Sequence, residues 1–207
     1  MPTDKSLFFY GSVYHRLLDP PLAEARQIAT DLIPEGSSVL DIGCGTGLLS
    51  SALKEQKNCR VVGLDLSLRM LEFARTHNRY PDVTFIHGDA TDMRRFADCS
   101  FDYAALLMLM HELPRPQQIL VLKDALRVAG RAVIIDSVSP LPKNPGGIGI
   151  RVVEATFGHD HNPNFKAFLA GGGIDGILRE SALPVSVEYR SIFWRKCREV
   201  AVVSNRK

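Results

Sequence analysis

A chain of 207 residues, 45% hydrophobic and 23% charged, is long enough for one globular domain whose core needs no covalent staples. Its net charge of +2 excludes the strongly basic character of a phosphate-tracking protein, so no nucleic-acid partner is expected. The longest apolar run, Tyr103–Met110, is too short to span a bilayer, no export signal opens Met1–Tyr10, and Cys44, Cys59, Cys99 and Cys197 stand far apart; reduced thiols and a cytoplasmic location are expected.

In chain order, residues 7–33 carry a helical pattern before any strand, and residues 1–35 are expected to form a helical cap. Val39–Ile42 is then a short apolar run ended by glycine, and Val61–Leu66 repeats the form. Val83–Ile86, Phe101–Met110 and Ala132–Ile135 follow. Apolar runs without strict alternation suit strands buried on both faces, as in a parallel sheet. Between them lie amphipathic stretches. Leu48, Leu49, Ala52 and Leu53 share a helical face, and Ser67 can cap a helix that buries Leu71 and Ala74. Pro116 suits the first turn of a helix through Leu126 that ends at Gly130. Alternating strands and helices imply right-handed βαβ crossovers.

The regular alternation breaks after Asp136. Leu141–Gly149 is rich in proline and glycine and reads as a loop. Helical segments are expected near Ile150–Phe157 and Phe165–Ala170, and a helix over Ile174–Ala182. Val185–Phe193 and Glu199–Ser204 are close enough to pair antiparallel. No repeat or linker divides the chain, so residues 1–207 are expected to form one domain, with residues 138–172 as an inserted lid.

The strongest chemical signal is Val39-Leu40-Asp41-Ile42-Gly43-Cys44-Gly45-Thr46-Gly47, a strand running into a glycine-rich turn and then a helix. Such a turn lets a ligand lie against bare backbone, and the helix N-terminus beyond it favours an anionic group. The spacing is G-x-G-x-G, whereas a dinucleotide fingerprint places its third glycine three residues after the second. A nicotinamide oxidoreductase is therefore disfavoured. Asp65 ends the second strand, where a carboxylate can accept from both ribose hydroxyls, and Asp89 follows the third. All three acids lie at the carboxyl edge, where open α/β sheets bind ligands.

Asp41 and the three glycines after it resemble the D-x-G-x-G-x-G signature of class I S-adenosylmethionine (SAM)-dependent methyltransferases. Asp65, Ser67, Met70 and Leu71 match the pattern's continuation, D-x-S-x-x-M-L. Gly88-Asp89-Ala90 matches G-D-A, and the stretch from Phe101-Asp102 to His111-Glu112-Leu113 resembles that of small-molecule methyltransferases. The resemblance covers residues 36–137, and Phe9–Leu18 resembles a looser segment of the ubiquinone/menaquinone-biosynthesis type. It implies a Rossmann-like, doubly wound, mostly parallel seven-stranded sheet with a C-terminal antiparallel strand pair and helices on both faces. It implies SAM as cofactor, with S-adenosylhomocysteine as product. Asp41, Gly43, Cys44 and Gly45 would bind it from the first loop, Asp65 and Leu66 from the second, and Asp89 and Ala90 from the third. Leu106 and Leu107 would lie near its methionine end, and Tyr14, with Tyr10 nearby, would cover it.

The expected function is methyl transfer to a small, partly apolar acceptor; a catalytically silent SAM-binding sensor or partner subunit is the alternative. The fourth strand lacks the N/D-P-P-Y/F/W motif of amino-methylating DNA enzymes. Acceptor contacts are expected from the cap and from residues 138–172, where Phe157, Phe165, Phe168 and Leu169 could wall an apolar pocket. Glu154, His159, Asp160 and His161 also lie there. His159-x-His161 has no convincing third ligand, so no metal is expected. Candidate acid–base residues are His111, Tyr14 and His159. A homodimer is one expected assembly.

Overall fold

The computed structural model describes residues 20–156 and 161–206. A seven-stranded sheet forms its centre, in the order β3-β2-β1-β4-β5-β7-β6. The strands are β1 (Ser38–Ile42), β2 (Arg60–Asp65), β3 (Thr84–His87), β4 (Tyr103–Leu107), β5 (Arg131–Ser137), β6 (Val185–Phe193) and β7 (Arg198–Asn205). The first five pair parallel. β7 enters antiparallel between β5 and β6. Strand order reverses between β1 and β4, and that switch point opens a crevice at the carboxyl edge. This is the expected Rossmann-like architecture with its C-terminal antiparallel pair.

Helices cover both faces. α1 (Ala23–Leu32), α2 (Leu48–Lys57) and α3 (Leu68–His77) pack on one; α4 (Arg115–Ala129), α6 (His161–Ala170) and α7 (Gly173–Ser181) pack on the other. Along β1, Val39 faces the first group while Leu40 and Ile42 face the second, and Val133 and Ile134 divide in the same way on β5. Both layers of β1 and β5 are shielded from water, which is why these strands read as unbroken apolar runs. Each fully buried Leu or Ile contributes about 1.5–3 kcal/mol.

Local signals set the helix ends. Ser67 Oγ accepts from the Met70 N–H at 3.3 Å and caps α3. Pro116 lies in the first turn of α4, and Gly130, at φ +68°, ends it in the left-handed region.

α6 starts at His161, ahead of the expected Phe165, and two other boundaries differ from expectation. The chain from Phe101 to Met110 is strand only over Tyr103–Leu107. Met108, at φ +58°, turns it into a short 3-10 segment, Met110–Glu112. Much of the expected loop Leu141–Gly149 is instead helix, because α5 (Pro145–Thr156) starts at its proline. Asn144 caps it: its Oδ1 accepts from the Gly147 N–H at 2.8 Å, and its carbonyl from the Ile148 N–H at 2.9 Å. Asn-Pro-Gly-Gly is thus a helix start, with asparagine as cap and proline in its first position.

Of the N-terminal cap only the last part is described, and α1 packs on a sheet face against α2, β4 and β5. No helix of the described residues is long and apolar enough to cross a membrane.

Candidate functional site

The glycine turn is built as a cradle. The Gly43 and Cys44 N–H groups both donate to the Leu64 carbonyl, at 2.8 and 3.1 Å, which pins the loop to the end of β2. Gly43, Gly45 and Gly47 all have positive φ, a region that costs residues with a Cβ. Their surroundings nevertheless differ. A Cβ on Gly47 would stand 2.7 Å from the Phe85 ring, so Gly47 is demanded by packing. A Cβ on Gly45 would meet nothing within 4 Å, so bare backbone there faces open space.

Asp65 sits beside that space and is half-buried. Its Oδ2 accepts from the Gly45 N–H at 2.8 Å and its Oδ1 from the Ser67 N–H at 2.8 Å. Burial pushes the Asp65 carboxyl up, while these bonds favour the ionised form and offset part of that rise. A carboxylate has about four lone-pair positions, so two accepted bonds leave capacity for a ligand. The bond to Gly45 gives Asp65 a structural role that spacing along the chain did not show: it ties the second strand tip to the glycine loop. Next to it, Leu66 and Leu68 hold apolar side chains 57% and 60% exposed, suited to cover a planar ring.

Asp41 lies behind the loop rather than at its surface. It is 1% exposed, and its Oδ2 accepts from Ser50 Oγ at 2.6 Å. Burial raises it to about 7, against the lowering effect of the Ser50 bond. Its carboxylate is therefore closed to direct contact with a ligand in the crevice. Cys44 is buried as well, its thiol pushed up by burial and by the charges of Asp41 and Asp65.

Asp89, after β3, is exposed and accepts from the Thr91 N–H and Oγ1 at 2.8 and 2.7 Å. An open depression of about 510 Å³ beside it is lined by Gly88, Asp89, Asp92, Arg94 and Arg95. Ala90 is half-buried. At the end of β4, Leu106 turns its side chain into the core at 1% exposure, while Leu107 faces the opposite layer and is half-buried. Only the backbone of Leu106 is thus available to a ligand.

His111 is 3% exposed. Its Nδ1 lies 2.8 Å from Asp136 Oδ1, and its backbone N–H donates to Asp136 Oδ2 at 3.2 Å. Nε2 lies 3.8 Å from Glu154 Oε1, and Phe165 and Phe168 meet the ring edge-on at 5.6 and 6.3 Å between centroids. Burial disfavours the charged ring. The charge and hydrogen bond of Asp136, with the charges of Glu154 and Glu112, outweigh it and raise His111 to about 9. Enclosed, and already protonated at neutral pH, the ring offers no lone pair to take a proton from an acceptor. Phe165 and Phe168, expected to wall a pocket, are 2% and 0% exposed and anchor α6 instead. The Asp136–His111–Glu154 grouping is not visible as a unit in the sequence; its one local signal is an acid ending a buried strand. Tyr10, Tyr14, Phe157, His159 and Asp160 lie outside the described residues, as does the side chain of His161.

A glycine cradle, an acid at each of two successive strand tips and a switch-point crevice are the arrangement at which nucleotide-binding α/β folds take their ligands. Residues 39–131 match the family model of the methyltransferase domain, and this core resembles the class I SAM-dependent methyltransferases of quinone biosynthesis. The chain is 35% identical over 128 residues to O-methyltransferase cnsE of Penicillium expansum, covering 58% of this chain and 46% of that protein. It is 36% identical over 121 residues to the demethylmenaquinone methyltransferase of Paenarthrobacter aurescens, covering 56% of this chain and 46% of that protein. The chain thus spans about half the length of these relatives. Among solved structures, a protein from Pyrococcus horikoshii shares the fold at a TM-score of 0.69 and 19% identity, covering 93% of this chain and 98% of that one.

Proposed function

We propose that this protein binds SAM along the carboxyl edge of β1, β2 and β3 and transfers its methyl group to a small, partly apolar acceptor. The observation that carries this is the bridge from Asp65 to the Gly45 N–H beside open space at Gly45. It sets a ribose-type acceptor group next to a bare-backbone cradle. Gly43, Cys44 and Gly45 would take the cofactor's amino-acid end with the backbone of Leu106 and Leu107. Asp65 would take its ribose, Leu66 and Ala90 its ring faces, and Asp89 its ring amine. Tyr14 would cover it.

When bound, SAM supplies an electrophilic methyl on a sulfonium sulfur. The chain's own task is to bind, align and exclude water. A general base is needed only where the acceptor must lose a proton. His111 is enclosed by Asp136, Glu154 and two phenylalanines, so it does not supply one in this arrangement. An acceptor that ionises readily, such as a phenol or quinol, suits a site of that kind. The names of the relatives, an O-methyltransferase and a demethylmenaquinone methyltransferase, support the same class. Residues 138–172 and the N-terminal cap, 1–35, would form the acceptor side.

The test is transfer of labelled methyl from SAM to a panel of phenols, naphthoquinols, amines and thiols. Turnover confined to the phenols and naphthoquinols is expected. Tight SAM binding with no turnover on any member would instead favour the silent SAM-binding alternative.

A further inference from the structure

β5 ends at Ser137, and the chain then leaves for α5 and α6 before returning at α7. Ile150 of α5 packs in one apolar cluster with Phe165 of α6 and Cys197, and His111 is where the polar ties from β5 and α5 meet the rings of α6. From β5, Asp136 takes both the ring Nδ1 and the backbone N–H of His111. From α5, Glu154 presents its carboxylate to the opposite ring nitrogen. From α6, Phe165 and Phe168 close the ring's edges. Asn164 Nδ2 adds a bond to the Glu112 carbonyl at 2.7 Å, next to His111 in the chain.

The three ionisable groups are buried, at 3% exposure for His111, 0% for Asp136 and 7% for Glu154. A buried charge is tolerated where it is paired and hydrogen-bonded. A protonated imidazole donates from both nitrogens and faces a carboxylate on each side. A neutral imidazole donates from one only. Asp136, with the shorter contact, would keep that proton, and the Nε2 lone pair would then face the Glu154 carboxylate. Loss of one proton thus turns the α5 contact from attraction into repulsion and leaves the apolar contacts of α6 in place.

We propose that His111 is a positioning residue whose charge latches α5 onto the carboxyl edge, so that protonation holds the insertion closed and deprotonation releases α5 ahead of α6. Its use in acceptor binding rests on the reading that residues 138–172 form the acceptor side; the latch itself does not. Other groups act in the same direction. Glu112, on the same turn as His111, favours its charged form. Glu199 on β7 is held up to about 7 chiefly by burial, and Asp136 contributes to the rise. Once Glu199 ionises it adds negative charge near Asp136. The sign follows from His111 standing at about 9 in the fold, above the ordinary histidine value of 6.5. The latch is at full strength below the lower value and is lost as pH rises through the upper one.

The experiment is amide hydrogen exchange on the full chain from pH 6 to 10, corrected for the intrinsic pH dependence of exchange. In the wild type, amides of 145–156 should lose protection by at least about tenfold as pH rises through 9, the change that one unit of pKa difference produces. Amides of 161–170 and of the glycine loop should hold. Glu154→Gln keeps the shape and removes the carboxylate that repels the neutral ring, and its amide can donate to Nε2, so the pH step in protection of 145–156 should disappear. His111→Asn retains a donor towards Asp136 and cannot be charged, so it should give flat, uniformly weaker protection of 145–156. Should His111→Asn fail to fold, Glu154→Gln alone decides. Protection of 145–156 that is flat with pH in the wild type, or a pH step in Glu154→Gln as large as the wild type's, would overturn the latch. Because no acceptor or cofactor is present in the experiment, such a failure is separate from any failure of the proposed methyl transfer.

Discussion

At the scale of single residues, the three glycines of the first loop share one backbone conformation and differ in what they face. Gly47→Ala drives a methyl into the Phe85 ring and adds strain at φ +76°. It should lower the melting temperature whether or not SAM is present. Gly45→Ala meets no protein atom, so its intrinsic cost is the left-handed backbone, about 1–2 kcal/mol. Its larger effect should be on the cofactor, which the added methyl displaces from the cradle. Melting curves with and without SAM separate the two. If SAM stabilises Gly45→Ala as much as the wild type, the open space at Gly45 does not hold the cofactor.

The residue scale is also where sequence and structure part company most. That Asp65 follows β2 is visible from an apolar run ended by an acid. That its carboxylate holds the Gly45 N–H, twenty positions earlier, depends on how β1 and β2 register. Asp41 stands in the sequence as a site residue of equal rank, yet it faces Ser50 one helical turn inside α2 and is closed off from solvent. One-dimensional spacing shows which residues gather at an edge and leaves open which of them face outward.

At the scale of elements, the parallel strands are readable because they are buried on both faces, and short unbroken runs of Val, Leu and Ile ended by glycine or an acid are what such burial requires. α5 is harder. Asn144-Pro145-Gly146-Gly147 has a loop's composition, and only the cap bond from Gly147 to Asn144 shows that a helix starts there. The aromatic residues of the insertion mislead for a related reason, since a phenylalanine that walls a pocket and one that anchors a helix have the same sequence pattern. Phe168 is fully buried within the core that also holds Leu122 and Ile174. Phe168→Ala should therefore cost about 3–5 kcal/mol of stability by leaving a cavity. Chemical denaturation checks this. A loss below about 1 kcal/mol would mean that Phe168 is not a core anchor and would return it to the acceptor side.

At the scale of the whole molecule, the fold confines chemistry to one edge. Five parallel strands bring the loops after β1, β2 and β3 side by side, and the reversal between β1 and β4 parts the chain above them. The antiparallel β7 then extends the sheet beyond β5, so the insertion between β5 and α7 has a platform at the same edge. One side of that edge is the glycine cradle with Asp65, and the other is the His111 cluster under α5 and α6. A sheet of this topology hosts many reactions, so the site rather than the fold carries the functional conclusion.

The central claim is that the cradle and Asp65 bind SAM, and calorimetric titration of the wild type and of Asp65→Asn with SAM, and of the wild type with NAD, tests it most directly. Asparagine replaces charge-assisted bonds worth about 1.5–3 kcal/mol each by weaker ones, and it also slackens the tie to Gly45. The wild type should bind SAM and show no heat with NAD, and Asp65→Asn should bind SAM roughly tenfold or more weakly with its fold retained. Equal SAM affinity in the wild type and Asp65→Asn, or NAD binding tighter than SAM, would contradict the account.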